Sequence, residues 1–311
     1  MRIAVMGAGA MGSAFGGLLA QSGQDVWLID AWKEHVEAIS KDGLRISEGG
    51  KLSTINAQAT DDPSRVGPVD LVLLFVKSCD TAPAMRDALP TIGPATHVLT
   101  VQNGLGNVEK IGEVVSVDRI FYGMTTLASD LKGPGQVELS NVTRGQVYMH
   151  QANKKTSEPL LRVADVLTTA GIHTEVSDNI DWLIWKKLVI SLIFNTIPAI
   201  TRLRVGDVAG SPEAADLVRG VVSEAVQIAN RKGVMLTLDE ALSYLQEVAR
   251  VSTEHVPSML QDVLRKRRTE IDANNGAIVA EGEKYGIPTP YNKAVTHLVR
   301  TIETSYSRQV G

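Results

Sequence analysis

Residues 2–6 (RIAVM) form a short run that is apolar at every position after Arg2, the pattern of a strand buried on both faces, and it stops at GAGAMG, after which a helical periodicity carries to Gln21. Gly23 closes that helix, and DVWLI at residues 25–29 starts a second strand. The chain therefore opens as strand, glycine turn, helix, strand. Further apolar runs at residues 69–76 (VDLVLLFV) and 97–101 (HVLTV), with helix-compatible stretches between them, predict a doubly wound parallel sheet. Over residues 133–150 turn residues separate short alternating runs, which predicts a hairpin.

Strand patterns then largely disappear. Helical periodicity covers residues 182–202, 212–232, 238–251, 259–285 and 290–307. Ser211, Pro212 and Glu213 make a cap, a first-turn proline and a first-turn acid, while Gly233 and Gly286 mark stops. At 311 residues the chain exceeds a typical single core. The expected architecture is α/β: an amino-terminal Rossmann domain, a doubly wound sheet over residues 1–178, and a carboxyl-terminal all-helical domain over residues 179–311.

Composition narrows the partners. With 44% hydrophobic and 21% charged residues and a net charge of -4, the chain reads as globular and carries no excess positive field for nucleic acid or anionic lipid. The basic run Arg265, Lys266, Arg267 and Arg268 reads as a solvated helix face. A single cysteine, Cys79, excludes an intrachain disulfide and a cysteine-based metal cluster, and no metal site is expected. The amino terminus passes from Met1 and Arg2 straight into glycine-rich sequence, and no apolar run approaches the ~20 residues a bilayer requires. A cytoplasmic protein without membrane or nucleic-acid partners is the expectation.

The chemistry begins at the glycine turn. Gly7, Gly9 and Gly12 form G-x-G-x-x-G between a strand and a helix. There the first glycine allows the tight turn, the second lets backbone approach a pyrophosphate, and the third lets helix and strand pack closely. Ala8, Ala10, Met11 and, further on, Ser129 are counted with this cofactor set. Asp30, at the end of the second strand, is placed to accept both hydroxyls of an adenosine ribose, and its charge opposes a 2'-phosphate. NAD(H) is therefore favoured, with Ala31 supplying no cation, although Lys33 and His35 stand near enough to reach a phosphate. Lys77 and Asn103 end the third and fourth strands, the edge of an open parallel sheet at which ligands bind.

GAGAMG, FVKS with Lys77, QNGLG with Asn103, WKKL with Lys187, the later Asn195, and SMLQD followed by TEID together resemble the ketopantoate reductase family, in order and spacing, over nearly the whole chain. The resemblance implies an active site in the cleft between a Rossmann and a helical domain. It implies hydride transfer from a reduced nicotinamide to the 2-oxo group of a small acid, by family default 2-dehydropantoate to (R)-pantoate with NADP(H). Position for position, Lys187 matches the catalytic lysine, Asn103 the substrate and cofactor asparagine, Ser258 the substrate serine, and Glu270 the acidic partner near the nicotinamide.

An ammonium suits this reaction because an alkoxide develops once hydride reaches the carbonyl carbon, and Lys187 can stabilise that charge and deliver the proton. Glu270 would keep it charged and aimed. Lys186, about 100° around the helix, is expected to snorkel to solvent. Ser258 with Gln261 also has the spacing of a capping box, and a capped helix start can itself receive a substrate carboxylate. Glu270, in a long helix, would otherwise be a solvent-exposed side chain.

The substrate residues depart from the family. Ser191 and Val205 stand where asparagines are common, and His255 stands three residues before Ser258, while Asn195 is retained. A site loses discrimination for a hydroxyl when its hydrogen-bonding partners go. Ser191, Asn195 and His255 join Lys187 and Ser258 as substrate candidates, and a less polar branched or aromatic 2-oxo acid, reduced to a D-2-hydroxy acid, is the alternative substrate. A non-catalytic dinucleotide-binding protein is the reading from another class, opposed by the retention of Lys187 and Glu270. The amphipathic helices are compatible with a homodimer.

Overall fold

A run such as RIAVM, apolar at every position after Arg2, needs cover on both faces, and the fold supplies it. The structure, a computed structural model, describes residues 1–139 and 146–309 and divides into two units: Met1–Gln102 with Asn107–Ile180, and Asn103–Gly106 with Asp181 onward.

In the first unit the strands are β1 (Arg2–Met6), β2 (Asp25–Ile29), β3 (Leu44–Glu48), β4 (Lys51–Ile55), β5 (Gln58–Thr60), β6 (Val69–Leu74), β7 (Ile92–Thr100), β8 (Ile120–Thr125), β9 (Ser129–Gly133), β10 (Gln136–Leu139), β11 (Val147–Gln151) and β12 (Thr174–Val176). Its helices are α1 (Ala10–Gln21), α2 (Lys33–Asp42), α3 (Thr81–Asp87), α4 (Asn107–Ile111) and α5 (Glu158–Thr169). Eight strands make one sheet in the order β12-β11-β8-β7-β6-β1-β2-β5, and β4-β3-β10-β9 make a second. The large sheet is parallel except where β11 runs against β8. Parallel order requires crossovers, and α1 packs between β2 on one side and β3, β9 and β10 on the other. Ile3, Val5, Phe15, Leu28 and Leu71 centre one apolar cluster, and Ala4, Val72, Leu74 and Val98 another, so β1 and β6 are buried on both faces.

The second unit is helical: α6 (Ile180–Ile190), α7 (Thr196–Thr201), α8 (Val205–Ala209), α9 (Pro212–Arg231), α10 (Leu238–Val251), α11 (Ser258–Leu264), α12 (Asn275–Tyr285) and α13 (Pro290–Thr304). Trp185, Leu188, Leu192, Val221, Ala225 and Ile278 lie at the centre of its core. Ser211 caps α9 as its residue type requires, with its side chain accepting from Ala214.

Several expectations are corrected here. The hairpin expected over residues 133–150 falls in part outside the described residues. Within them it is β9 and β10 that pair antiparallel, turning at Pro134 and Gly135, while Val147–Gln151 joins the large sheet. The small sheet formed with β3 and β4 has no counterpart in the expected architecture. The helix expected over residues 259–285 is broken at residues 265–274. The basic run Arg265 to Arg268 lies in that break, with Lys266 in left-handed backbone, and is not a helix face. One segment, Ile180–Thr201, is long and apolar enough by length and composition to cross a membrane, contrary to the expectation that none is. Most of it is buried, and its apolar side chains supply the second unit's core.

Candidate active site

The glycine turn has the geometry its sequence implies. Gly7 has φ 91°, and a Cβ there would lie 2.7 Å from the Val76 amide nitrogen. A Cβ on Gly12 would strike the Gly7 carbonyl oxygen at 1.9 Å. Gly9 differs, because a Cβ added to it would meet nothing within 4 Å. It stands at the start of α1, and no side chain caps that helix. The opening of α1 thus presents uncapped amides beside open space, as an anion requires. Ala8 is buried, Ala10 and Met11 are half-buried, and the Ser129 hydroxyl donates to Met11 Sδ at 3.2 Å.

Asp30 follows β2 and is half-buried, with Oδ1 accepting the Trp32 amide at 2.9 Å. The carboxylate therefore orders its loop and keeps its other oxygen for a further donor. His35 points inward. It is fully buried, its Nδ1 accepts the Gly135 amide at 3.0 Å, and its Nε2 lies 3.1 Å from Ser13 Oγ, which in turn donates to the Ala8 carbonyl at 2.7 Å. Nδ1 as acceptor makes His35 the neutral Nε2–H tautomer. Burial pushes it below its usual value, against the pull of Asp30. Lys33 is exposed and pairs with Asp61 at 3.8 Å.

Lys77 ends the strand run after β6, half-buried, and its carbonyl accepts the Asp80 amide at 2.8 Å. Gln102, passed over in the sequence, fastens this edge: its Nε2 donates to the Val76 carbonyl at 2.6 Å and to Thr81 Oγ1 at 3.0 Å. Asn103 is half-buried and belongs to the second unit. There Gly104, at φ 83°, brings backbone against backbone, and the Leu105 amide donates to the Ala273 carbonyl at 2.9 Å.

Lys187 is half-buried on α6, and burial pulls its ammonium down to about 8, against the Glu270 carboxylate, which raises it. Lys186 does not simply snorkel. Its ammonium sits 4.1 Å from the Tyr244 ring centroid and 4.9 Å from that of Trp182. The helix then widens: residues Ser191–Asn195 form a π turn between α6 and α7. Pro198 gives a physical reason, since its ring cannot donate to the carbonyl four residues back and presses on it. Ser191 is buried at 5% exposure, whereas Asn195 is half-buried and its side chain has no hydrogen-bond partner among the described residues.

Glu270 is not in a long helix. It lies in the break before α12, half-buried, in a turn held from several sides. Thr269 donates its amide to Glu303 Oε1 at 2.6 Å, and Arg300 holds Asp272 at 2.7 Å. The predicted capping box at Ser258 does not form. Pro257 occupies the cap position, Ser258 is the exposed first residue of α11, and Gln261 Nε2 donates to the Val256 carbonyl. Val205 is buried in the apolar core, and its amide donates to the carbonyl of His255, whose side chain is exposed. The second unit thus holds Asn103, Lys187, Ser191, Asn195, His255, Ser258 and Glu270, and the first holds the glycine turn, Asp30, Lys77 and Ser129.

Family comparison agrees over both units. The family described as "Ketopantoate reductase PanE/ApbA" matches residues 3–154, and its "C terminal" counterpart matches residues 179–303. The chain belongs to the ketopantoate reductase family. A curated relative, 2-dehydropantoate 2-reductase of Lactococcus lactis, is 34% identical over 97% of this chain and 98% of its own. Among solved structures, D-mandelate dehydrogenase with NADH and anilino(oxo)acetate superposes with TM-score 0.93 at 33% identity, covering 99% of this chain and 100% of that one. A PanE/ApbA family ketopantoate reductase from Ralstonia eutropha JMP134 superposes at 0.91, with 32% identity and the same coverage. As a ketopantoate reductase family member, the protein is an NAD(P)-dependent oxidoreductase acting on a CH–OH group.

A dinucleotide fits the first unit of this family member on its own geometry: the uncapped start of α1, the open space at Gly9 and the unspent oxygen of Asp30. His35, expected near a phosphate, is instead turned into the core. Side chains that the sequence reading missed include Gln102 and a buried polar chain at the π turn. The chain begins at Thr196, whose hydroxyl donates to Asn275 Oδ1 at 2.6 Å, while Asn275 Nδ2 donates to the Leu192 carbonyl at 3.2 Å and to Asn292 Oδ1 at 3.0 Å. Asn292 Nδ2 then donates to Glu224 Oε2 at 2.7 Å. Pro198 inside an apolar helix was the available signal for the π turn, and the asparagine pair in TEIDANN a weaker one for its partner.

Proposed function

We propose that this reductase uses Lys187 as the general acid for reduction of a 2-oxo acid, with 2-dehydropantoate as substrate and (R)-pantoate as product. The supporting observation is the state of Lys187: a partly desolvated ammonium, lowered to about 8 and sustained by Glu270, is still charged at neutrality and able to give up its proton. The reduced nicotinamide, when bound, supplies the hydride. Lys187 stabilises the alkoxide that develops on the substrate oxygen and protonates it. Glu270 holds the ammonium charged until then. Asn103 and Asn195 offer amide donors and acceptors for orienting the acid, and Ser258, exposed at the start of α11, offers a hydroxyl to it.

NADH is the favoured donor in this reading. Asp30 opposes a 2'-phosphate, neutral His35 is turned into the core, and Lys33 is engaged with Asp61. Asp30→Ala combined with Ala31→Arg is expected to move the preference to NADPH, measured as the ratio of kcat/KM for the two cofactors. Equal use of both by the unmodified protein would show that Lys33 reaches the phosphate.

A second reading, a branched or aromatic 2-oxo acid as substrate, is favoured by Ser191 and by the likeness to a D-mandelate dehydrogenase. The deciding measurement is loss of reduced-nicotinamide absorbance with 2-dehydropantoate against phenylglyoxylate and branched 2-oxo acids. A strong preference for 2-dehydropantoate supports the first reading, and the reverse supports the second. No turnover with any 2-oxo acid would sink both.

A further inference from the structure

We infer that Asn275 is a positioning residue that sets the π turn after Lys187 in register with the Glu270 turn, an inference that rests on the reading of Lys187 as the general acid. The argument starts with the backbone. A π turn takes one residue more than an α turn, so a carbonyl drops out of the ordinary ladder and needs a partner, at a cost of about 1–3 kcal/mol if buried without one. Here the segment Ser191–Asn195 is largely buried, and the Leu192 carbonyl receives Asn275 Nδ2 at 3.2 Å. The Asn275 oxygen is committed as well, accepting the Thr196 hydroxyl at 2.6 Å at the first residue of α7. One fully buried amide thus grips both sides of the π turn.

Asn275 cannot drift while it does so. Its Nδ2 also donates to Asn292 Oδ1, and Asn292 is held in turn by the Val221 carbonyl at 3.1 Å and by Glu224. Glu224 is itself buried and accepts the Tyr291 and Asn292 amides at 2.8 and 2.9 Å, the open start of α13. Donors and acceptors match at every step, so both asparagine amides are fixed in one orientation.

Sequence distance makes this matter. Asn275 opens α12 immediately after the turn that carries Glu270, and Leu192 lies just beyond one helical turn from Lys187. The side-chain bond therefore ties the element bearing the carboxylate to the element bearing the ammonium. Asn195, at the far end of the π turn, depends on the same bond for its direction.

The test uses the full-length protein. Asn275→Ala removes both grips, and Thr196→Val removes only the hydroxyl while keeping the side-chain shape. Steady-state kinetics, NADH affinity, thermal unfolding and an NMR titration of labelled lysines, with the Lys187 signal assigned from Lys187→Met, are compared. Asn275→Ala is expected to lower kcat about 10- to 100-fold, the range for a small misplacement of reacting groups, to displace the Lys187 titration, and to leave NADH affinity unchanged. Thr196→Val is expected to move both quantities in the same direction by less, and it decides the matter alone if Asn275→Ala does not fold. Unchanged kcat and an unchanged Lys187 titration in a folded variant overturn the inference. The titration needs no turnover, so an unmodified protein inactive on every 2-oxo acid refutes the functional reading while the titration still decides whether Asn275 positions Lys187.

Discussion

Lys187 carries two opposed influences, burial lowering its proton affinity and Glu270 restoring part of it to about 8. In the proposed reaction the ammonium form is the active one for reduction. Reductive turnover is therefore expected to be level near neutrality and to fall about tenfold per unit of pH once pH exceeds about 8, while oxidation of the hydroxy acid rises over the same interval. Glu270→Gln removes the influence that raises Lys187, so the fall should begin at lower pH. A pH–rate profile of both proteins checks this, and a Glu270→Gln limb displaced upward would refute the coupling. At this scale the sequence showed residue identity better than surroundings. GAGAMG was legible because its geometry is confined to one turn, whereas WKKL took its meaning from the resemblance, its partner Glu270 lying far along the chain. The inward turn of His35 was not, because its partners Ser13 and Gly135 are brought to it from distant parts of the chain. Lys186 likewise reads as a solvent-seeking cation until Tyr244, from α10, is placed beneath it.

Among the elements, the glycine turn separates packing from binding. Gly12→Ala should destabilise the first unit, since its Cβ would stand 1.9 Å from the Gly7 oxygen and neither backbone can yield. Gly9→Ala has open space around its Cβ and should keep the thermal stability while weakening NADH binding about tenfold or more, read by fluorescence titration. Equal loss of stability in both variants would remove the distinction. Strands with mainly apolar runs, β1 and β6, and the helices α9 and α10 were legible from pattern alone. The α/β class and the helical second half followed from them. The element that sequence pattern could not supply is the interruption. The break at 265–274 contains no glycine or proline to announce it, and its buried residues Thr269, Ile271 and Ala273 alternate where a continuing helix would not. Ser258 had the spacing of a capping box, yet Pro257 took the cap position.

For the molecule as a whole, the first unit is interrupted by residues that belong to the second. Asn103–Gly106 leave the end of β7 and pack with the helical unit, where the Leu105 amide meets the Ala273 carbonyl. Gly104 permits this through φ 83° and through the absence of a Cβ, which would lie 2.5 Å from that same carbonyl. Gly104→Ala is accordingly expected to cost roughly 2–4 kcal/mol. The loss should be felt in the helical unit, although the residues on either side belong to the first unit. Hydrogen exchange should show faster opening of α12 with β1 unaffected. Uniform loss across both units would contradict the assignment of this segment.

That four-residue excursion also bears on how the chain is made. A ribosome delivers residues from the amino terminus, so Asn103–Gly106 emerge well before any residue of α6 exists. The sheet unit can fold around them, but their apolar member, Leu105, and the amide meant for Ala273 must wait in solvent until the last third of the polypeptide has been synthesised. In a truncated or stalled nascent chain the Leu105 amide therefore has no Ala273 carbonyl to meet, and its hydrogen exchange should be fast until that residue has emerged.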